Sequence, residues 1–358
     1  MSTSPTQTAE TQTAEAETAE TEASSAGQST TTQAGLFDTT YEYSTEGNLP
    51  EDIQRDFEIP ASASLFTLTL PVDWLLEEIK PAWKDAAELI KECSDQPAWE
   101  GSINSLHLER VLRHIPSSIN EMKIAVTEDG WYTSVVDSAN VCMFEYWLHK
   151  DDFSQYNLSD EGVLGINISH LKKTFKSDSK GQDIDISFND DRTYTVDDGT
   201  PVTASLIDPD SVRQSPDLPD LHLPCSIELP GEEVKTLIRR LGEFGDHFRV
   251  TSDEANQDVV FETESHDTDF GKKYAGKEDL QVYNPLKPDE HPFNLDVPES
   301  GSSLVSGDYL GGFIQSLRNK DLSEAYTVIF GHEFPIMIEM GLCGGSFARF
   351  MLAPRIEA

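Results

Sequence analysis

The chain has 358 residues, 65 of them acidic and 26 basic, for a formal net charge of -39. That length suits two domains of ordinary size, and an acid excess spread evenly repels nucleic acid. Any contact with a polyanion must therefore use a segregated minority of positive side chains. Acidic residues occur along the whole chain, which favours self-solvation in concentrated salt, as in halophilic proteins, over mimicry of nucleic acid. At 1 M salt the Debye length is about 3 Å, so surface repulsion is mostly screened. No apolar run is long enough for a bilayer and no apolar signal core opens the chain, so a soluble cytoplasmic protein is expected. Cys93, Cys142, Cys225 and Cys343 form no CxxC pair and read as reduced thiols.

Residues 1–60 contain little apolar material and repeat Thr-Ala-Glu at positions 8, 13 and 18. This composition predicts a disordered acidic tail. Leu65 to Leu70 alternates as a half-buried strand does, Val72 to Cys93 reads as helix interrupted by Pro81, and Ser94 to Asn104 reads as loop. Leu108, Val111, Leu112 and Ile115 mark one face of a helix. Strands are expected at 123–126, 131–135 and 141–148, a helix on Ile168, Leu171 and Phe175, and further strands at 183–188, 193–196 and 202–207. Residues 209–224 form a connector rich in Pro and Asp. The pattern then recurs. A strand at 225–229 precedes a helix on Val234, Leu237, Ile238 and Leu241, with strands at 247–251 and 259–263. A helix on Leu310, Phe313, Ile314 and Leu317 precedes strands at 326–330, 335–340 and 346–352. Repetition with many strands and few helices predicts an α+β fold whose helices share one sheet face.

Scarce positive charges concentrate on the four helices of the repeat: Arg110 and Arg113; Lys172, Lys173 and Lys176; Lys235, Arg239 and Arg240; Arg318 with Lys320. They lie away from the apolar faces. Their expected role is a positive surface for DNA phosphates, which position a duplex without reading its sequence. No P-loop, HExxH, GxSxG or dinucleotide fingerprint is present, and the histidines have no acidic or Cys partner at local ligand spacing. Gly341 to Gly345 reads as a turn between strands. No catalytic residue, metal site or cofactor is expected.

Several segments carry a resemblance: Asp137-Ser138-Ala139-Asn140-Val141, Leu206 to Arg213, Pro216 to Pro224, Ser303 to Leu310, Glu333-Phe334-Pro335, and the ending Leu352-Ala353-Pro354-Arg355-Ile356-Glu357. In this order they resemble the archaeal DNA sliding clamp, the proliferating cell nuclear antigen family, over most of residues 105–358. Gly162 to Asn167, followed by Leu171-Lys172-Lys173, resembles the second helix of that family. The resemblance implies a sliding-clamp fold: two similar domains of repeated βαβββ units, helices lining a channel and sheets outside. The implied boundaries are an N-terminal domain at 61–208 with an insertion at about 72–104, an interdomain connecting loop at 209–224, and a C-terminal domain at 225–358.

The resemblance further implies a homotrimeric processivity factor that encircles duplex DNA and binds DNA polymerase, a clamp loader and other proteins bearing clamp-binding peptides. The implied docking groove is lined or bordered by Val136, Asn140, Leu218, Leu221, Pro335, Met351, Ala353 and Pro354. Gln33 to Phe37 partly matches the clamp-binding peptide itself. Gly311 and Gly312 stand where a clamp helix commonly has Lys. With the long stretches at 72–104 and 270–301, they mark a divergent haloarchaeal or viral member. A clamp-like inhibitor or adaptor that does not encircle DNA is the alternative.

Overall fold

The computed structural model describes residues 72–93, 95–174, 181–216, 221–263, 271–275, 295–314, 317, 322–323, 325–342 and 345–355. All lie in the compact unit Ala34–Ala358. The tail, the expected strand at 65–70 and the Gln33–Phe37 match fall outside them, as does Phe175.

The first half runs α1 (Val72–Glu92), β1 (Ala98–Asn104), α2 (Ser105–His114), β2 (Glu121–Thr127), β3 (Gly130–Val136), β4 (Cys142–His149), β5 (Phe153–Asp160), β6 (Gly162–Asn167), α3 (Ile168–Thr174), β7 (Asp183–Asn189), β8 (Thr193–Asp197) and β9 (Val202–Ser205). The second runs β10 (Cys225–Pro230), α4 (Gly231–Phe244), β11 (His247–Asp253), β12 (Asp258–Thr263), β13 (Gly271–Ala275), β14 (Leu295–Asp296), β15 (Gly301–Ser306), α5 (Gly307–Ile314), β16 (Ala325–Phe330), β17 (Ile336–Gly341) and β18 (Phe347–Leu352).

Three sheets result, ordered β5-β1-β7-β8-β9, β14-β10-β16-β17-β18-β4-β3-β2-β6 and β13-β12-β11-β15. The orders expose the repeat. β5-β1-β7-β8-β9 of the first half corresponds to β14-β10-β16-β17-β18 of the second, and β6-β2-β3-β4 to β15-β11-β12-β13. The nine-stranded sheet is where the halves fuse: β18 pairs antiparallel with β4 from Phe347↔Trp147 to Leu352↔Cys142.

Alternation along these strands sends side chains to two faces. Ile124, Val126, Trp131, Val135, Phe144 and Leu148 join the apolar faces of α2 (Leu108, Val111, Leu112) and α4 (Val234, Leu237, Leu241) in one core that runs through both halves. The intervening residues Ala125, Tyr132, Trp147, Val163 and Phe347 point the other way and meet Trp83, Ala86 and Ile90 of α1. Four helices thus lie on one face of the sheet and α1 covers the opposite face.

Four expectations change. Residues 98–104 are not loop but strand β1, held between β5 and β7. The stretch 72–104 therefore divides into a covering helix and the first strand of the repeat. α1 also runs through Pro81 without interruption, although proline has no N–H to give to the preceding turn. The segment 162–167 is strand β6, and the helix begins only at Ile168. Ser303 to Ser306 likewise closes β15 before α5 begins. The turn expected after Gly341 closes with Leu342 N–H donating to the Ser346 carbonyl (2.9 Å).

Candidate functional site

The helix layer brings basic residues of both halves onto neighbouring elements. Asn104 caps α2, its Oδ1 accepting from Leu106 N–H (3.0 Å). α2 meets α5 where His114 lies edge-on to Phe313 (6.3 Å between ring centres). His114 also makes a 3.1 Å hydrogen bond to the Tyr326 hydroxyl. Arg110 reaches across the halves and donates to the Leu322 carbonyl (2.7 Å). On the other side of α2, Lys172 of α3 donates to the Ile115 carbonyl (3.3 Å). Lys172 as a whole is exposed, with its ammonium turned back onto the end of α2. Burial and the adjacent Arg113 hold that ammonium below the usual lysine range. α4 packs on α5, and Lys235 donates to the Leu317 carbonyl. The layer is therefore ordered α3, α2, α5, α4.

Not all of this charge faces solvent unopposed. Arg113 pairs with Glu109, and Arg239 and Arg240 both reach Glu243 at 3.0 and 3.5 Å. Lys173, like Arg239 and Arg240, is exposed. Lys176, Arg318 and Lys320 lie outside the described residues. His107, also on α2, is buried with its Nε2 3.9 Å from Asp152, and Ser346 donates to that same carboxyl. Burial, then Arg110, pushes His107 down to about 3, and burial holds Asp152 well above the carboxylate range. This buried cluster sets Ser346 of the second half against Asp152 and His107 of the first, residues remote in sequence that only the fold brings together.

The groove residues gather at one end of the nine-stranded sheet, on the face that α1 shares. Strand register places Met337 opposite Met351, Met351 opposite Met143, and Met143 opposite Val136. This row crosses β17, β18, β4 and β3. Methionine's unbranched thioether adapts to varied apolar partners. Pro335 immediately precedes β17, and Ala353 N–H donates to the Val141 carbonyl (2.9 Å), which holds Pro354 beside the β3–β4 turn. Val136, Pro335, Ala353 and Pro354 are half-buried. Leu221 is half-buried on the returning limb of the connector, where His222 bonds Glu299 (3.0 Å). Leu218 lies outside the described residues. Met143 and Met337 belong to the row although no local motif marks them.

The turn beside this row is built around Asp137. Its buried carboxylate accepts from the backbone N–H of Ala139 (3.2 Å), Val141 (2.7 Å) and Cys142 (3.0 Å), and from the Tyr309 hydroxyl (3.1 Å). Burial raises its pKa, but these donors outweigh burial and hold it below the usual carboxylate range. Asn140 takes the left-handed backbone (φ 57°) that asparagine tolerates. The connector starts against β6, with Ile207 N–H donating to the Gly165 carbonyl (2.8 Å). A Cβ on Gly165 would come within 2.7 Å of the Ile207 oxygen, so this approach requires glycine.

Asp137→Asn should cost about 2–3 kcal/mol, because one amide oxygen replaces two charged acceptors and the NH2 confronts N–H donors. A depressed folded pKa contributes stability above the unfolded value of about 3.9, and that contribution is lost as pH falls through the folded pKa. The gap between wild type and variant should therefore shrink below about pH 4. Denaturant unfolding between pH 3 and 7 at fixed salt checks both points.

Among the described residues, no helix is long and apolar enough to cross a membrane. The fold is that of the solved clamps. A structure of the C-terminal region of FEN-1 bound to A. fulgidus PCNA is 25% identical, with a TM-score of 0.61, and covers 73% of this chain and 99% of that one. A proliferating cellular nuclear antigen from Entamoeba histolytica gives a TM-score of 0.61 at 15% identity, covering 73% of this chain and 100% of its own. The family profile for the proliferating cell nuclear antigen N-terminal domain matches residues 101–196, starting after α1. DNA polymerase sliding clamps of Natronomonas pharaonis and Haloarcula marismortui are each 30% identical, covering 67% and 70% of this chain and 91% and 96% of the relatives. The chain belongs to the DNA polymerase sliding clamp family, the proliferating cell nuclear antigen family.

Proposed function

We propose that this chain is one subunit of a homotrimeric ring that encircles duplex DNA without reading sequence. It tethers DNA polymerase and other replication proteins through the groove at Met351 and Val136. In this reading it is a cytoplasmic, non-enzymatic scaffold that needs no cofactor, and a clamp loader places it on DNA. The observation that carries the reading is the unused half of the repeat. β9 corresponds to β18 and β13 to β4, and both β9 and β13 end their sheets among the described residues. Pairing β9 of one copy with β13 of the next repeats the internal β18–β4 seam. Such a contact is head-to-tail, and head-to-tail contacts close into rings when the rotation fits. The helix layer with Lys172, Lys173, Arg239 and Arg240 would then face the hole, where phosphate contacts need only be weak because topology retains the DNA.

The test is topological. Protein loaded on nicked circular DNA should stay through gel filtration in concentrated salt and leave when the circle is linearised. A complex indifferent to linearisation, or a monomer in concentrated salt, would favour the adaptor that does not encircle DNA.

A further inference from the structure

The connector's first limb is fastened to the turn that borders the groove by a single side chain. The 3-10 turn Pro209–Ser211 is capped by the Asp208 carboxylate, which accepts from Asp210 N–H (3.2 Å). The next residue, Val212, is buried, with its Cγ2 against Gly165. Arg213 therefore leaves a fixed backbone. Its Nη1 donates to the carbonyls of Asp137 (3.3 Å) and Ser138 (3.2 Å), and its Nη2 donates to Asn140 Oδ1 (2.5 Å). Beside it Gln214 Oε1 accepts from Lys123 Nζ (3.1 Å).

Two features separate this clasp from an ordinary surface ion pair. Its acceptors are two peptide carbonyls and one amide, all neutral, so salt has no opposed charge to screen. The guanidinium fork also fixes several donor directions at once, which a lysine cannot reproduce. Those acceptors belong to a turn already made rigid by the Asp137 carboxylate and Tyr309. Arg213 thus joins two preformed pieces and sets the distance between them.

We propose that Arg213 is a positioning residue for partner docking. It holds the connector's first limb, residues 209–216, at a fixed separation from the 137–140 turn, so that the groove this turn borders is ordered before a peptide arrives. This rests on the reading of that groove as the docking site. A groove ordered in advance spares a ligand the cost of ordering it. The expected ligand is a short turn of peptide with aliphatic and aromatic anchors.

The probe is a synthetic peptide with Gln, an aliphatic residue three places later and two aromatics at its seventh and eighth places. Calorimetry with the full chain should show Arg213→Ala weakening binding about tenfold, or about 1.4 kcal/mol. The fold loss should be equal at low and high salt. Arg213→Lys should stay close to the alanine variant. Asn140→Gly keeps the left-handed backbone and removes one acceptor, so it should reproduce part of the loss and add little in the double variant. Should Arg213→Ala fail to fold, that glycine variant carries the test alone. Failure of the wild type to bind the peptide overturns the groove reading. Wild-type binding with unchanged affinity in Arg213→Ala and Asn140→Gly overturns the positioning role and leaves the groove standing. Full rescue by Lys at low salt alone would assign the effect to charge and overturn it too.

Discussion

Replacing Arg349 by Met should destabilise the protein by about 3–5 kcal/mol, the range for removing one partner from a buried ion network. Arg349 sits on the α1-facing side of the sheet. Its Nη2 is 2.7 Å from Glu339 and its Nη1 3.0 Å from Glu145. The Tyr132 hydroxyl donates to Glu145 (3.0 Å), and the guanidinium lies 5.0 Å from the Trp83 ring of α1. The two carboxylates are 4% and 9% exposed, so without the cation they repel each other out of reach of water.

The sign of the pH dependence follows. Burial already holds Glu339 above its ordinary value, with Arg349 opposing the rise. Removing Arg349 lifts it further, whereas the unfolded chain still releases that proton near pH 4.3, about the free glutamate value. Between those values the folded state binds more protons, so the variant should regain stability as pH falls. Denaturant titrations at pH 5 and 8 check this, and adding Glu145→Gln with Glu339→Gln should recover most of the loss. A change below about 1 kcal/mol in the single variant would mean the network is solvated and weak.

Reversing Lys172, Lys173, Arg239 and Arg240 to Glu together should weaken binding to short linear duplex DNA at low salt at least about tenfold, while subunit assembly persists. Each phosphate contact contributes a log–log salt slope of about -0.9, so losing four removes most of the attraction and adds repulsion. The choice of positions matters. Arg110 and Lys235 make close bonds to backbone carbonyls, and replacing them would disturb the packing between helices, whereas exposed Lys172 reaches the Ile115 carbonyl only at 3.3 Å. Among the described residues Arg239 and Arg240 pair with exposed Glu243, where losing each pair costs a few tenths of a kcal/mol. Binding to short linear duplexes at low salt, with size measured in the same salt, separates the outcomes. Unchanged binding by an intact assembly would remove these residues from the DNA-facing role.

Much of the repeat was readable because burial on one face leaves a period. Leu108, Val111 and Leu112 mark α2, and alternation marks β7, β8 and β11. β1 escaped because Ala-Trp-Glu-Gly-Ser-Ile-Asn mixes polar and small residues. Its conformation comes from hydrogen bonds to β5 and β7 on either side, a tertiary cause. β6 escaped for another reason: Gly162 and Gly165 interrupt its apolar run. The groove was named from resemblance alone, since a row such as Met337-Met351-Met143-Val136 exists only once the register between remote strands is fixed. α1 did leave a trace in Trp83, Ala86 and Ile90, spaced i, i+3 and i+7, but nothing local tells which sheet face such a stripe covers. Arg213 looked like any other lone cation.

The β4–β18 seam has a consequence for how the chain holds together. The halves are joined twice, once through the peptide connector and once through six cross-strand pairs inside a continuous core. Covalent continuity between Gln214 and Leu221 is therefore redundant for cohesion. A protease nick there leaves two fragments that share one sheet and separate only when the whole sheet melts, so the two halves unfold as a single cooperative unit.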